Sequence, residues 1–168
     1  MTDYRQPLVA TFMTKCKQWD GKTILSSPKP KDDAELATYK LRLKLSIEET
    51  FELFEAVLTK EEYLAKFQPL LDQIDINIDA IASEDMEVKP VDVFDSLVDQ
   101  DYVNIGFANI LGLDMSAGFN EVQRSNMTKL DANGEAILRY DGKLLKSDLY
   151  VAPDLATVYN NTKFTHAN

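Results

Sequence analysis

The sequence predicts an all-α fold: a helical bundle of about five helices with a short non-helical C-terminal arm. Three observations predict it. Long stretches of good helix formers carry apolar residues at helical spacing. Pro, Gly and Asp fall between those stretches, where caps and breaks belong. Turn pairs and alternating patterns are confined to the region after Leu130. The 168 residues make one domain, 1–168, with the bundle in 1–130 and a hairpin or extended arm in 131–168.

Taken in order, residues 4–19 form a first helix, with Leu8, Phe12 and Cys16 as its inner line. Ser26, Ser27, Pro28 and Pro30 make a loop. Asp32 or Asp33 caps a long second helix that runs to about Leu58. A third spans 60–82, with Leu64, Phe67, Leu71, Ile74 and Ile78 inside and Pro69 as a kink or break. Pro90 suits the first turn of a fourth helix reaching Leu111. Gly112 and Asp114 end it and open a fifth, Met115 to Met127. Asp131-Ala-Asn133-Gly134 and Asp141-Gly142 are turns around short alternating stretches, followed by coil through Pro153.

The second helix carries the first chemical signal. At roughly 100° per residue, Leu41, Leu45, Glu48, Glu52 and Glu55 share one stripe, with Glu49 at its edge. Most of the remaining circumference is apolar, so the helix should be buried among others, Leu41 and Leu45 included. Carboxylates on a buried helix need a partner, and a cation supplies one. An ordinary solvated acidic face is the alternative. The fourth helix repeats the pattern: Asp92, Asp95, Asp99, Tyr102 and Gly106 form one stripe between apolar flanks. Asp92 alone could merely complement the helix dipole, but Asp99 lies two turns in. Two facing stripes of carboxylates without histidine suit Mg²⁺, or Mn²⁺. These helices are apolar on more faces than five helices can cover, so a second copy should bury the remainder.

Composition narrows the rest. A net charge of −10 argues against nucleic-acid binding and against an anionic membrane surface. No apolar run reaches membrane-spanning length and Met1 opens no secretory leader, so a cytoplasmic protein is expected. One cysteine, Cys16, excludes an internal disulfide, and the single histidine, His166, sits near the end, leaving little for zinc. Arg124 and Lys129 are phosphate-type donors, and Asn126 can read a base edge or a phosphate oxygen. Basic residues at a helix end also complement its dipole. Lys143 and Lys146 could extend the same cationic surface.

Glu48-Glu49-x-x-Glu52, Asp95-Ser-Leu-Val-Asp99-Gln-Asp-Tyr102-Val and Arg124-Ser-Asn-Met-Thr-Lys129, in that order and spacing, resemble the MazG-like all-α nucleoside triphosphate pyrophosphohydrolases. The phosphoribosyl-ATP pyrophosphohydrolase-like branch is the nearest in pattern. The likeness extends through Asp131-Ala-Asn-Gly134, Tyr140-Asp-Gly142-Lys143 and Lys146…Tyr150…Pro153-Asp154. It implies a Mg²⁺-dependent enzyme that cleaves the α–β bond of a nucleotide to a monophosphate and pyrophosphate. It also implies an obligate dimer, or a tetramer built from dimers, with sites near subunit contacts. On this reading Glu49, Glu52, Asp95 and Asp99 hold metal and Glu48 activates water. Arg124 and Lys129 neutralise the departing pyrophosphate, with Lys146 beside them, and Tyr102 and Asn126 hold sugar or base. One departure stands out. The superfamily usually has Glu-x-x-Asp on the second acidic helix. Here Asp95 must stand in beside Ser96 if Asp99 is the aspartate, or Asp92 replaces the glutamate if Asp95 is. Two other readings stay open: a catalytically inactive helical nucleotide-binding or interaction protein, and true phosphoribosyl-ATP hydrolysis.

Overall fold

The computed structural model describes residues 3–24, 28–140 and 144–162. Among the described residues, seven α-helices run in the order α1 (Arg5–Lys15), α2 (Asp33–Val57), α3 (Lys60–Lys66), α4 (Gln68–Ala80), α5 (Pro90–Leu111), α6 (Met115–Met127) and α7 (Leu155–Asn161). Among the described residues there is no strand, and no helix is long and apolar enough to cross a membrane. The chain divides into two compact units. One comprises Met1–Lys22 with Phe94–Asn168, and the other Thr23–Val93.

The Thr23–Val93 unit is built on α2. Asp32 caps it, its side chain accepting from Glu35 N at 2.9 Å, while Glu35 accepts from Lys31 N at 2.9 Å. The expected third helix is two. Pro69 has no N–H to give to a continuous helix but fits a first turn, so α3 stops at Lys66 and α4 restarts at Gln68. Phe67 at the break stacks on Phe54 (ring centroids 4.6 Å apart), and Phe51 and Tyr63 complete the cluster. Farther up α2, Lys44 pairs with Asp79 at 2.8 Å and Lys40 donates to its carbonyl at 2.8 Å, tying α2 to α4. Below α4, Val88 N donates to Pro28 O at 2.6 Å and anchors the proline loop; Ser26 and Ser27 lie outside the described residues.

The other unit assembles α1, most of α5, α6 and the C-terminal segment. Helix α1 ends at Lys15 rather than near Trp19, because Lys17 takes a left-handed φ of +56° that no helix continues. Of its expected inner line, Cys16 is buried and Phe12 half-buried, whereas Leu8 is exposed. Polar contacts do much of the holding: Arg5 to Asp101 of α5 at 2.8 Å, and Gln123 of α6 to the Leu8 carbonyl at 3.3 Å. Tyr4 meets Phe119 edge-on at 6.1 Å. Asp114 caps α6 by accepting from Ala117 N.

The C-terminal arm is not wholly non-helical, since α7 occupies Leu155–Asn161. The expected hairpin reduces, among the described residues, to one antiparallel bridge, Leu138 with Leu144. Its turn at Asp141-Gly142, with Lys143, lies outside them, as does His166. Side-chain hydroxyls pin the arm to α6. Ser125, 2% exposed, donates to Val151 O at 2.9 Å, Thr128 accepts from Val151 N at 2.9 Å, and buried Ser147 donates to Leu130 O at 2.8 Å.

Candidate active site: two acidic helix faces

On α2, Glu48 and Glu52 stand one turn apart on a common face, with side chains separated by roughly 5–6 Å at Cβ, and both are exposed. Glu49 is exposed at the edge of that face. Glu48 and Glu52 continue the i,i+4 row of Lys40 and Lys44, which reach Asp79 of α4, each step turning about 40° further around the helix. Its lower end lies near Tyr63, whose hydroxyl is held above its usual pKa by burial first and then by the charges of Glu55, Asp72 and Glu52.

On α5, Asp92, Asp95, Asp99 and Tyr102 form the second face, all exposed, Tyr102 at 77%. Asp101 points elsewhere on the same helix, into its pair with Arg5. The expectation that these helices are buried is corrected here. Phe51 is the one buried residue of α2 and Ala108 that of α5. Leu41 and Leu45 are exposed, and so are Phe94 (70%) and Ile110 (83%). One chain has too few elements to cover both helices on every side.

The basic element on α6 is split by its own helix. Arg124 and Asn126 are about 200° apart around the axis. Arg124 donates through Nε and Nη2 to the Glu121 carboxylate at 2.8 and 2.6 Å, and through Nη2 to the Ala152 carbonyl at 3.2 Å. Glu121 also accepts from Asp154 N at 2.7 Å, and these bonds, Arg124 foremost, pull its pKa down to about 2. Sequence reasoning missed this clasp. The signal was there in Glu121 and Arg124, three residues apart, beside hydroxyls that can bond a returning chain. Asn126 is half-buried on the opposite side. Lys129, half-buried, follows the helix and lies near Cys16, whose thiol is pushed up by burial despite the lowering effect of the Lys129 charge. Lys146 is exposed, its Nζ 4.4 Å from the Tyr150 ring centre.

Do these side chains suit a divalent cation? Most carboxylates with a basic neighbour are used: Asp79 by Lys44, Asp3 and Asp101 by Arg5, Glu121 by Arg124. Glu48, Glu52, Asp92, Asp95 and Asp99 have no ion-pair or hydrogen-bond partner among the described residues. They are hard oxygen donors left uncommitted, the chemistry that Mg²⁺ or Mn²⁺ takes. Each face offers neighbouring carboxylates, but among the described residues no three ligating groups converge on one point.

No protein-family model and no curated protein matches the chain significantly. Its fold, however, has a solved counterpart. The crystal structure of a "putative NTP pyrophosphohydrolase" from Exiguobacterium sp. 255-15 superposes with a TM-score of 0.61 at 23% identity, covering 93% of this chain and 92% of that one. The likeness spans nearly the whole of both chains, and it is one of fold.

Proposed function

We propose that the chain is a Mg²⁺-dependent nucleotide pyrophosphohydrolase of MazG-like type, working as a dimer or a tetramer of dimers. The observation that carries this reading is that Glu48 with Glu52, and Asp95 with Asp99, stand one turn apart on exposed helices, uncommitted to any ion pair or hydrogen bond among the described residues and flanked by exposed apolar side chains. The fold shared with the Exiguobacterium protein supports it, as does the order of the three sequence motifs.

Glu49, Glu52, Asp95 and Asp99 would hold the metal, which when bound supplies charge neutralisation and polarisation of phosphate oxygens. Glu48, one helical turn from Glu52, is placed to accept the proton of an attacking water. Lys129 brings an ammonium with no carboxylate partner among the described residues, so its positive field is available to a departing pyrophosphate. Arg124 serves the same anion less directly, since Glu121 already neutralises its charge. Tyr102, largely exposed, offers a ring to sugar or base. A second copy covering the apolar sides of α2 and α5 would exclude water from the carboxylates.

The test is a panel of canonical and modified nucleoside triphosphates with Mg²⁺, following pyrophosphate and monophosphate together. Equimolar release of both is expected. Release of orthophosphate and a diphosphate, or no turnover of any member, refutes the assignment.

A further inference from the structure

We infer that the chain carries a second small-molecule site, specific for a neutral aromatic compound, in the cavity between α6 and α7. It is a cleft of about 440 Å³, open on one side, and shares no residue with the acidic faces. Its volume falls within the range of small-ligand pockets. Met115, Phe119 and Val122 of α6 line one wall, and Leu155, Val158 and Tyr159 of α7 the other.

The cavity is held open rather than left loose. Helix α7 has no buried residue of its own. Its position is set just ahead of its first turn by polar bonds to α6: Asp154 N to Glu121, Arg124 to Ala152 O and Ser125 to Val151 O. Those bonds fix the start of the helix and leave its apolar side facing the apolar side of α6 across a gap. Gly118 sits on that side of α6, and a Cβ built there meets no heavy atom within 4 Å. Walls of this kind forfeit dispersion contacts until something apolar fills them, and water gains few partners there.

The polar groups at the edge decide the ligand's charge. Arg5 is already paired with Asp3 and Asp101, Asp114 accepts from Ala117 N, and Thr162 donates to Val158 O. Tyr159, too, is not without a partner. None of these awaits an ion, so a charged ligand would lose hydration without recovering it. Phe119 and Tyr159 favour a flat ring between them.

The probe is indole, with indole-3-acetate and tryptamine as its anionic and cationic counterparts, titrated into the intact protein while the Met115 methyl resonance is followed. Indole should bind saturably and move that resonance, with the two charged compounds weaker by roughly tenfold or more. Gly118→Leu fills the gap from the helix, and Val158→Trp fills it from the opposite wall. Each should weaken indole at least about tenfold while melting cooperatively. Absence of indole binding, equal binding by both filled variants, or tighter binding of a charged analogue overturns the site. So does loss of self-association in both filled variants by light scattering, which would make the cavity a contact between copies.

Discussion

Glu121 and Glu52 sit on helices of one chain and meet opposite surroundings. Glu121 accepts three hydrogen bonds, two from Arg124 and one from the backbone of Asp154, and its pKa falls to about 2. Glu52 accepts none, stands exposed, and contributes instead to raising the pKa of the buried Tyr63. The same division separates Asp101, held by Arg5, from Asp99 two residues earlier. A carboxylate that closes a fold brings its cation with it. One left without a cation is open to a ligand, and on α2 and α5 it sits beside apolar neighbours still uncovered.

The largest expected effect breaks the comparison on its open side. If the proposed metal site is right, Glu52→Gln or Asp99→Asn should lower pyrophosphate release roughly a hundredfold or more by removing a ligand. Because both side chains are exposed and unpaired, the melting temperature without metal should hold steady or rise. Added Mg²⁺ should stabilise the wild type but not the variants. Equal stabilisation of all three proteins, or of none, would discard the metal site.

Next comes assembly. Ile110→Glu places a charge on the most exposed large aliphatic side chain of α5. Light scattering should show a dimer or tetramer for the wild type and a shift of roughly tenfold or more in its dissociation constant for the variant. A wild-type monomer at micromolar concentration would refute the assembly outright.

The smallest effect lies on the closed side. Glu121 ionises far below its usual value of 4.5 in the folded chain, at about 2. Its pairing therefore stabilises the fold fully above about pH 4.5, and that contribution is lost as pH falls toward 2. Glu121→Gln should melt below the wild type at pH 6, with the gap closing as pH approaches 2. A gap unchanged across that range would mean that the clasp contributes nothing through charge.

Much of the fold was legible because it rests on local rules. Asp32 and Asp114 cap, Pro90 opens and Pro69 breaks, each through the chemistry of its own side chain. What the sequence hid depends on distant partners. Helix α7, seven residues ending in two asparagines, has little helical signal; Asp154 caps it, and α6 holds its approach. Leu41 and Leu45 read as buried because periodicity reports which face is apolar, not whether one chain can cover it. The stripes of Glu48 with Glu52, and of Asp95 with Asp99, follow from the same periodicity. How closely they approach each other does not, since that is set by tertiary and quaternary packing.

The contact between α1 and α6 also orders events during synthesis. Gln123 reaches back 115 residues to Leu8, and Lys15 reaches forward 119 residues to Gly134. The Thr23–Val93 unit is contiguous in sequence, so its elements are all made before α5 is complete. The helix translated first must therefore wait, with its partners unmade, until nearly the whole chain has emerged. A chain ended after Val93 should already protect α2 and α4 from proteolysis while leaving α1 open to cleavage.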